Sequence, residues 1–350
     1  MQYVPFGDLG FNISRLGFGM MRLPKVTLPD GSTALDEARA TAMLRSAIDQ
    51  GLSYVDTAYP YCDGQSEPLV GRILKDGYRE RVKLATKLPV WKVETRQDMD
   101  VVLDEQLKRL DVPYVDFYLL HALGRERWEK MKALGVREFL DSAVKDGRIR
   151  YPAFSFHDDY EVFRDILTSY DWRMAQIQFN YLDIRHQAGL RGIRLARARR
   201  VPLVVMEPLR GGALATLCER SLQLLHEAAP DRSPAEVRAM MERYPVQCSP
   251  VEWAFRYVGD FDQVAVMLSG MSDEAQVQDN LRIFENVRPG CLSDADKRLI
   301  ARLRAGYRKR MPIGCTGCAY CVPCPRGVGI PRVFAAYNEA AMFDRMADFP

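Results

Sequence analysis

The 350-residue chain has only four histidines and four tryptophans, and little excess of either charge: 49 Lys and Arg against 46 Asp and Glu, a formal net charge of +3. So small an excess creates no long-range field to draw in nucleic acid or an anionic membrane, and neither is expected as a partner. Long apolar runs are missing too. None approaches the roughly 20 residues that span a bilayer, and the longest clean ones, Val201–Met206 and Val264–Leu268, have the length of buried strands. The opening residues, Met1 to Asp8, carry neither the basic region nor the apolar stretch of a secretory signal. A cytoplasmic protein is expected. At 47% hydrophobic residues there is ample material for a core.

Short apolar, β-branched-rich runs alternate with helical patterns. Strands are expected at Ile13–Gly19, Ser53–Ala58, Val82–Leu88, Tyr114–His121, Arg150–Phe156, Ala175–Asn180, Pro202–Pro208 and Gln263–Gly270. Between the first two, Ala40, Met43, Leu44, Ala47 and Ile48 follow the i, i+3, i+4, i+7 spacing of one helix face, and Gly51 stops it. Met99, Val102, Leu103, Leu107 and Leu110 mark another such face. Near the end Ser272 stands in N-cap position, with Asp273 and Glu274 in the first turn of a third. Strands that alternate with helices require a parallel sheet. Eight such units in about 270 residues fit an α/β fold of the (β/α)₈ TIM-barrel type better than an open doubly wound sheet. Gly17-Phe-Gly19 opens no helix, so a dinucleotide-binding glycine turn is not read there. Tyr3–Arg15 is expected to be a hairpin plugging the barrel floor, and Gly211–Ser249 an elaborated loop. The division expected is a barrel over residues 1–290 and a helical extension over 291–350.

Catalytic side chains of such barrels stand at the carboxyl ends of strands. There the chain offers Asp56, followed by Tyr59 and Tyr61, then Lys87, then His121. Lys87 ends an apolar strand and needs an anion, which Asp56 can supply. A phenol has a reference pKa of about 10, and a nearby cation lowers it, making Tyr61 a general acid. With His121 orienting the oxygen, the set suits a carbonyl that becomes an alkoxide, as hydride delivery to an aldehyde or ketone demands. A structural Asp56–Lys87 pair with Tyr61 on the rim is the plainer alternative.

Asp56-Thr-Ala-Tyr-Pro-Tyr61, Ser66-Glu67, Leu69 and Gly71, then Ala85-Thr-Lys87 and Asp116 through His121, together resemble the signature of the aldo-keto reductase superfamily of NAD(P)H-dependent (β/α)₈ oxidoreductases. The likeness covers residues 1 to about 290. It implies Asp56, Tyr61, Lys87 and His121 as a catalytic tetrad acting on a small carbonyl or alcohol. It further implies Ser155 and Gln178 at the nicotinamide carboxamide, with Phe156 where an asparagine is usual. Met206 replaces the usual stacking aromatic and precedes Pro208 and Leu209. Gly211, Gly212 and Leu214 would cover the pyrophosphate. Gly270, Ser272, Gln276 and Asn280 would form the adenosine-phosphate site at a helix N-terminus. Met20 and Met21 are assigned to the cofactor on the same likeness. Gln276 stands where NADP-preferring members often have arginine, so NAD and NADP both remain open, with a lean to NADP from the family's habit.

The eight cysteines are unevenly spread. Cys315, Cys318, Cys321 and Cys324, followed by Pro325, come close to the ferredoxin run whose thiolates hold one [4Fe–4S] cube. The last gap is two residues rather than three, so a remote cysteine such as Cys291 is an alternative fourth ligand. A four-thiolate zinc site is the competing reading, although zinc sites usually separate two CxxC pairs by a longer loop. The run also resembles the ferredoxin-like tail of a subset of aldo-keto reductases, which implies the cluster. Arg308-Lys-Arg310 is a candidate docking patch for an acidic electron carrier. That leaves a rival reading, an iron–sulfur electron-transfer or redox-sensing protein on a reductase scaffold. His157, His186 and His226 show no metal-ligand spacing, and the arginines at 194, 197, 199 and 200 read as a solvated helix face. Cys62, beside Tyr61, reads as a pocket-lining residue.

Overall fold

The computed structural model describes residues 1–215, 223–224, 226–227, 230–231, 233, 235–236, 250–315 and 321–348. The chain divides into two compact units, Met1–Pro208 with Phe255–Cys291, and Leu209–Ala254 with Leu292–Pro350. The sequence reading draws its line at 290 alone, and most of the elaborated loop expected at Gly211–Ser249 lies outside the described residues.

In the first unit, hairpin β1 (Tyr3–Pro5) and β2 (Asn12–Ser14) precedes β3 (Leu16–Gly19), and a second hairpin, β4 (Lys25–Thr27) and β5 (Thr33–Leu35), leads into helix α1 (Glu37–Asp49). Then follow β6 (Tyr54–Asp56), α2 (Ser66–Ile73), β7 (Lys83–Leu88), α3 (Arg96–Leu110) and β8 (Val115–Leu123). Helices α4 (Arg125–Ala133) and α5 (Val136–Lys145) lead to β9 (Ile149–Phe156), α6 (Tyr160–Leu167), β10 (Met174–Gln178), α7 (Gly189–Arg199) and β11 (Leu203–Met206). After helix Pro250–Gly259 come β12 (Val264–Ser269) and helix Glu274–Ile283. Strands β3 and β6 to β12 pair side by side, all parallel, and close into a barrel. The (β/α)₈ expectation is met.

Two local readings change. The first expected strand, Ile13–Gly19, is broken at Arg15, which is fully buried and donates from Nη2 to the Val264 carbonyl at 2.9 Å. Asn12–Ser14 therefore pairs with β1, and only Leu16–Gly19 joins the barrel. Near the end Asp273, not Ser272, caps the helix: its carboxylate accepts from the Gln276 backbone at 2.8 Å. An aspartate in extended backbone, one residue nearer the first turn, satisfies the orphan N–H more directly.

The hairpin closes the barrel floor. Phe6 and Ile13, both fully buried, join Tyr54, Phe117, Met174, Val204 and Val266 in one core cluster. Gly17 is required there, because a Cβ would stand 2.7 Å from Val266 Cγ1 and 2.8 Å from Leu268 Cδ2. With the floor filled, the open end is the one toward which all eight strands run.

In the second unit, helix Asp294–Lys309 is capped by Ser293, whose side chain exchanges hydrogen bonds with Asp296. Helix Ile330–Met342 anchors the segment before the cysteines: Asn338 accepts from Ile313 N at 2.9 Å and donates to Ile313 O at 2.8 Å. Among the described residues no helix is long and apolar enough to cross a membrane.

Candidate active site

Three neighbouring strands deliver the candidate acid–base groups. Asp56 is the last residue of β6, Lys87 the penultimate residue of β7, and His121 lies near the end of β8. Pairing of Asp56 with Ala85 and of Lys87 with Leu119 sets them at the same end of the barrel. Tyr61 arrives on the turn after β6. Lys87 Nζ donates to Asp56 Oδ1 at 2.6 Å and to the Thr57 carbonyl at 2.7 Å, and stands 3.2 Å from the Tyr61 hydroxyl. The Tyr61 and His121 rings meet edge-on with centroids 6.0 Å apart. All four expected residues are thus brought together.

The electrostatics follow from enclosure. Burial alone would lower the Lys87 ammonium; the Asp56 carboxylate and the Tyr61 oxygen more than offset this and hold it above its usual value. Burial raises the Asp56 carboxyl, against the pull of Lys87. Tyr61 departs from the sequence reading. Its phenol is raised, because burial outweighs the lowering by Lys87 and Asp56 adds to the rise. The ammonium therefore moderates the phenol's pKa without bringing it below that of free tyrosine. His121 is pushed down to about 2, by burial first and then by Lys87, His157 and Arg127. Its imidazole is neutral at physiological pH and can offer one N–H.

Residues assigned to a cofactor are placed as follows. Ser155 is buried on β9, and its Oγ accepts from Ala122 N at 2.7 Å. Phe156 faces the other way, against Phe163 of α6 at 5.2 Å between centroids, as the alternation of a strand requires. It belongs to the outer core rather than the mouth. Gln178 and Met206 end β10 and β11 in register, but the Gln178 amide is taken up by Asp183 Oδ2 at 3.1 Å. Pro208 is buried, Met20 is fully buried and Met21 is 59% exposed. Asn280 donates to Ser269 Oγ at 3.0 Å, and Gln276 accepts from Ser272 N at 3.0 Å, closing the turn that carries Gly270. Arg22 packs over Gly270. In the second unit, Leu214 and Gly212 donate backbone N–H groups to the Leu209 carbonyl, and Gly211 and Gly212 adopt positive φ.

Two residues escaped the sequence reading. Gln176, 2% exposed and in register with Ser155, points its amide nitrogen at Met206 Sδ at 3.8 Å and leaves its buried Oε1 without a partner. Gln176 therefore brings a buried, unpartnered acceptor to this face, while the amide nitrogen of Gln178 is spent on Asp183. The available signal was its polarity at an inward position of an apolar strand. Trp91 is 42% exposed, lies 5.1 Å from the His121 ring and is flanked by Arg127. A large exposed aromatic beside a catalytic candidate is a natural wall for a substrate, and its place in a three-residue 3₁₀ turn, Val90–Lys92, gave no periodic signal.

Of the cysteine run, Cys315 and Cys324 are half-buried and Cys321 is exposed, while Cys318 lies outside the described residues. Among the described residues no three His, Cys, Asp or Glu side chains form a group that could hold a metal ion.

Residues 15–290 match the model of the aldo/keto reductase family. Aldo-keto reductase YhdN of Bacillus subtilis is 30% identical over 185 residues, 47% of this chain and 55% of that protein. Methylglyoxal reductase YeaE of Escherichia coli is 33% identical over 120 residues, 34% of this chain and 40% of that protein. The chain thus spans about half the length of these curated relatives. The solved structure of aldo-keto reductase AKR11C1 from Bacillus halodurans, holo form, superposes with TM-score 0.68 at 25% identity, over 87% of this chain and 96% of that one.

Proposed function

Because the chain belongs to the aldo/keto reductase family, we propose that it is an NAD(P)-dependent oxidoreductase that reduces an aldehyde or ketone to an alcohol, or runs the reverse. One observation carries the proposal: a single buried ammonium, Lys87, touches both a carboxylate and a phenol at the open end of a barrel whose other end is filled.

A bound reduced nicotinamide would supply the hydride. Its carboxamide is suited to the pair Gln176 and Ser155, since Gln176 Oε1 is a buried acceptor without a partner. Gln178, Met206, Pro208, Met20 and Met21 remain candidates around it. Gly270, Ser272, Gln276 and Asn280 would take the adenosine phosphate, and the stem of Arg22 lies against Gly270. NADP and NAD both remain open.

As the carbonyl oxygen gains charge, Tyr61 gives it the hydroxyl proton. The raised phenol keeps that proton in place throughout neutral pH. Lys87 stabilises the phenolate left behind, and Asp56 keeps Lys87 charged and aimed. Neutral His121 donates an N–H to the same oxygen and orients it. Trp91 covers one side of the substrate.

The test is Tyr61→Phe. General acid catalysis of this kind contributes on the order of 10²–10⁴ in rate, so turnover of nitrobenzaldehyde or methylglyoxal should fall by that factor while NADPH still binds. Short dicarbonyls belong in the panel because one relative is named a methylglyoxal reductase. Unchanged turnover would reject the tetrad.

For the extension, residues 291–350, we retain a [4Fe–4S] cluster on Cys315, Cys318, Cys321 and Cys324. The spacing and the thiolate donors support it, and no step of the reduction is routed through it. Iron and acid-labile sulfide in anaerobically purified protein would support it; zinc alone would replace it with a structural site. A cytoplasmic location, with its reducing conditions, suits both NAD(P)H and unpaired thiols.

A further inference from the structure

The inward face of α3 is apolar at Met99, Val102, Leu103, Leu107 and Leu110, and is interrupted by one fully buried polar residue, Gln106. A sheet-packed helix stripe is ordinarily apolar throughout, so the exception has to be accounted for by its partners. Gln106 Nε2 donates to Glu67 Oε1 at 2.6 Å and to the Lys87 carbonyl at 3.0 Å, and lies 3.2 Å from Thr86 Oγ1. Gln106 Oε1 accepts from the Tyr118 hydroxyl at 2.8 Å. One side chain thus ties the backbone of Lys87 to the strand that carries His121 and to the first turn of α2. Thr86 Oγ1 donates to the same Glu67 oxygen at 2.6 Å, completing the knot.

One turn further on, Arg109 reaches the loop that carries Tyr61. Its Nη2 donates to the carbonyls of Tyr59, at 3.3 Å, and Gly64. Its Nε faces Glu67 Oε2 at 3.1 Å, and its guanidinium covers the Tyr59 ring at 4.4 Å. Within that loop Cys62 (φ +52°) and Asp63 (φ +54°) sit in the left-handed region that side chains disfavour. Backbone of this kind persists only when its surroundings hold it. Arg109 grips the loop on both sides of Tyr61.

We propose that Arg109 and Gln106 are positioning residues of the reductase site: Arg109 fixes the Tyr61 loop, Gln106 fixes the Lys87 strand, and Glu67 joins the two. Together they set the separation of the phenol from the ammonium. The proposal rests on the reading of Tyr61 and Lys87 given under Proposed function. It adds that α3, which contributes no group to the reacting atoms, determines how well those two work.

The test uses the full-length protein, NADPH and nitrobenzaldehyde, with Arg109→Met, Arg109→Lys and Gln106→Met beside Tyr61→Phe. A misplacement of about 1 Å at a reacting group costs on the order of 10²-fold. Arg109→Met and Gln106→Met should therefore lose up to that factor in kcat, with KM for the aldehyde and the affinity for NADPH unchanged. The pH at which alcohol oxidation rises should move upward, because a phenol farther from Lys87 loses the cation that lowers it. Arg109→Lys, which can still donate to the loop carbonyls, should recover part of both. Wild-type kcat and an unshifted pH profile in both methionine variants, with Tyr61→Phe inactive, would overturn the positioning role and leave the tetrad intact. A fall in kcat with an unshifted profile would also overturn it, showing α3 to be merely structural. Full turnover in Tyr61→Phe would remove the reading beneath it. Should Arg109→Met fail to fold, Gln106→Met decides: a shifted profile supports the proposal and an unshifted one refutes it.

Discussion

Replacing Asp56 with asparagine takes one charge from an ion pair whose side chains are 3% and 1% exposed. Lys87 would keep the Thr57 carbonyl at 2.7 Å and the Tyr61 hydroxyl at 3.2 Å, and the new amide oxygen could still accept one hydrogen bond. What it loses is the compensating charge. Breaking a buried pair from one side costs about 3–5 kcal/mol, and the surviving acceptors place this site at the lower end. For a domain of roughly this size each kcal/mol moves Tm by about 2–4 °C, so a fall on the order of 10 °C is expected. The pH dependence gives a sharper check. With the carboxylate present, Lys87 is held above its usual value; without it, burial, the largest influence on this group, lowers it. The folded variant then binds fewer protons than the unfolded chain between that lowered value and about 10.4, so its stability rises with pH across this window. Thermal melts at pH 7 and pH 9 should show the deficit against wild type shrinking. A deficit under about 1 kcal/mol at pH 7, far below the cost of a broken buried pair, or one that widens with pH, would refute the reasoning.

Two further outcomes follow from the same geometry. His121 is neutral down to about pH 2 and Tyr61 keeps its proton through neutrality, so kcat/KM for carbonyl reduction should show no limb near pH 6.5. A steady-state pH series with such a limb would contradict the neutral imidazole. Phe6 is fully buried on the barrel floor, 5.0 Å from the Phe117 ring, and Phe6→Ala should cost about 3–5 kcal/mol by urea denaturation without altering KM, since it lies opposite the mouth.

Much of this could be read directly. The alternation of strand and helix periods announced the barrel, because each parallel pair needs a helix to carry the chain back. The candidate catalytic residues stood out as ionisable groups at the ends of apolar strands. Other features could not be read. The raised phenol of Tyr61 depends on a contest between enclosure and a neighbouring charge, and residue types do not give the depth of burial. Gln176 and Gln178 share one face of β10, and only the packing decides that the Gln176 oxygen is buried without a partner while the Gln178 amide nitrogen is engaged by Asp183 from the following loop.

The sequence by itself determined the alternation of barrel strands and helices, the filled floor and the four candidate groups, since these follow from periodicity and from polar residues placed at strand ends. Tertiary structure alone decided that Asp56 and Tyr61, 31 and 26 residues from Lys87, share its one ammonium. It decided also that Gln106 and Arg109 bind the supporting backbone from a neighbouring helix. Such distances are set by barrel closure and by the packing of α3 on β7 and β8, and a linear pattern carries neither.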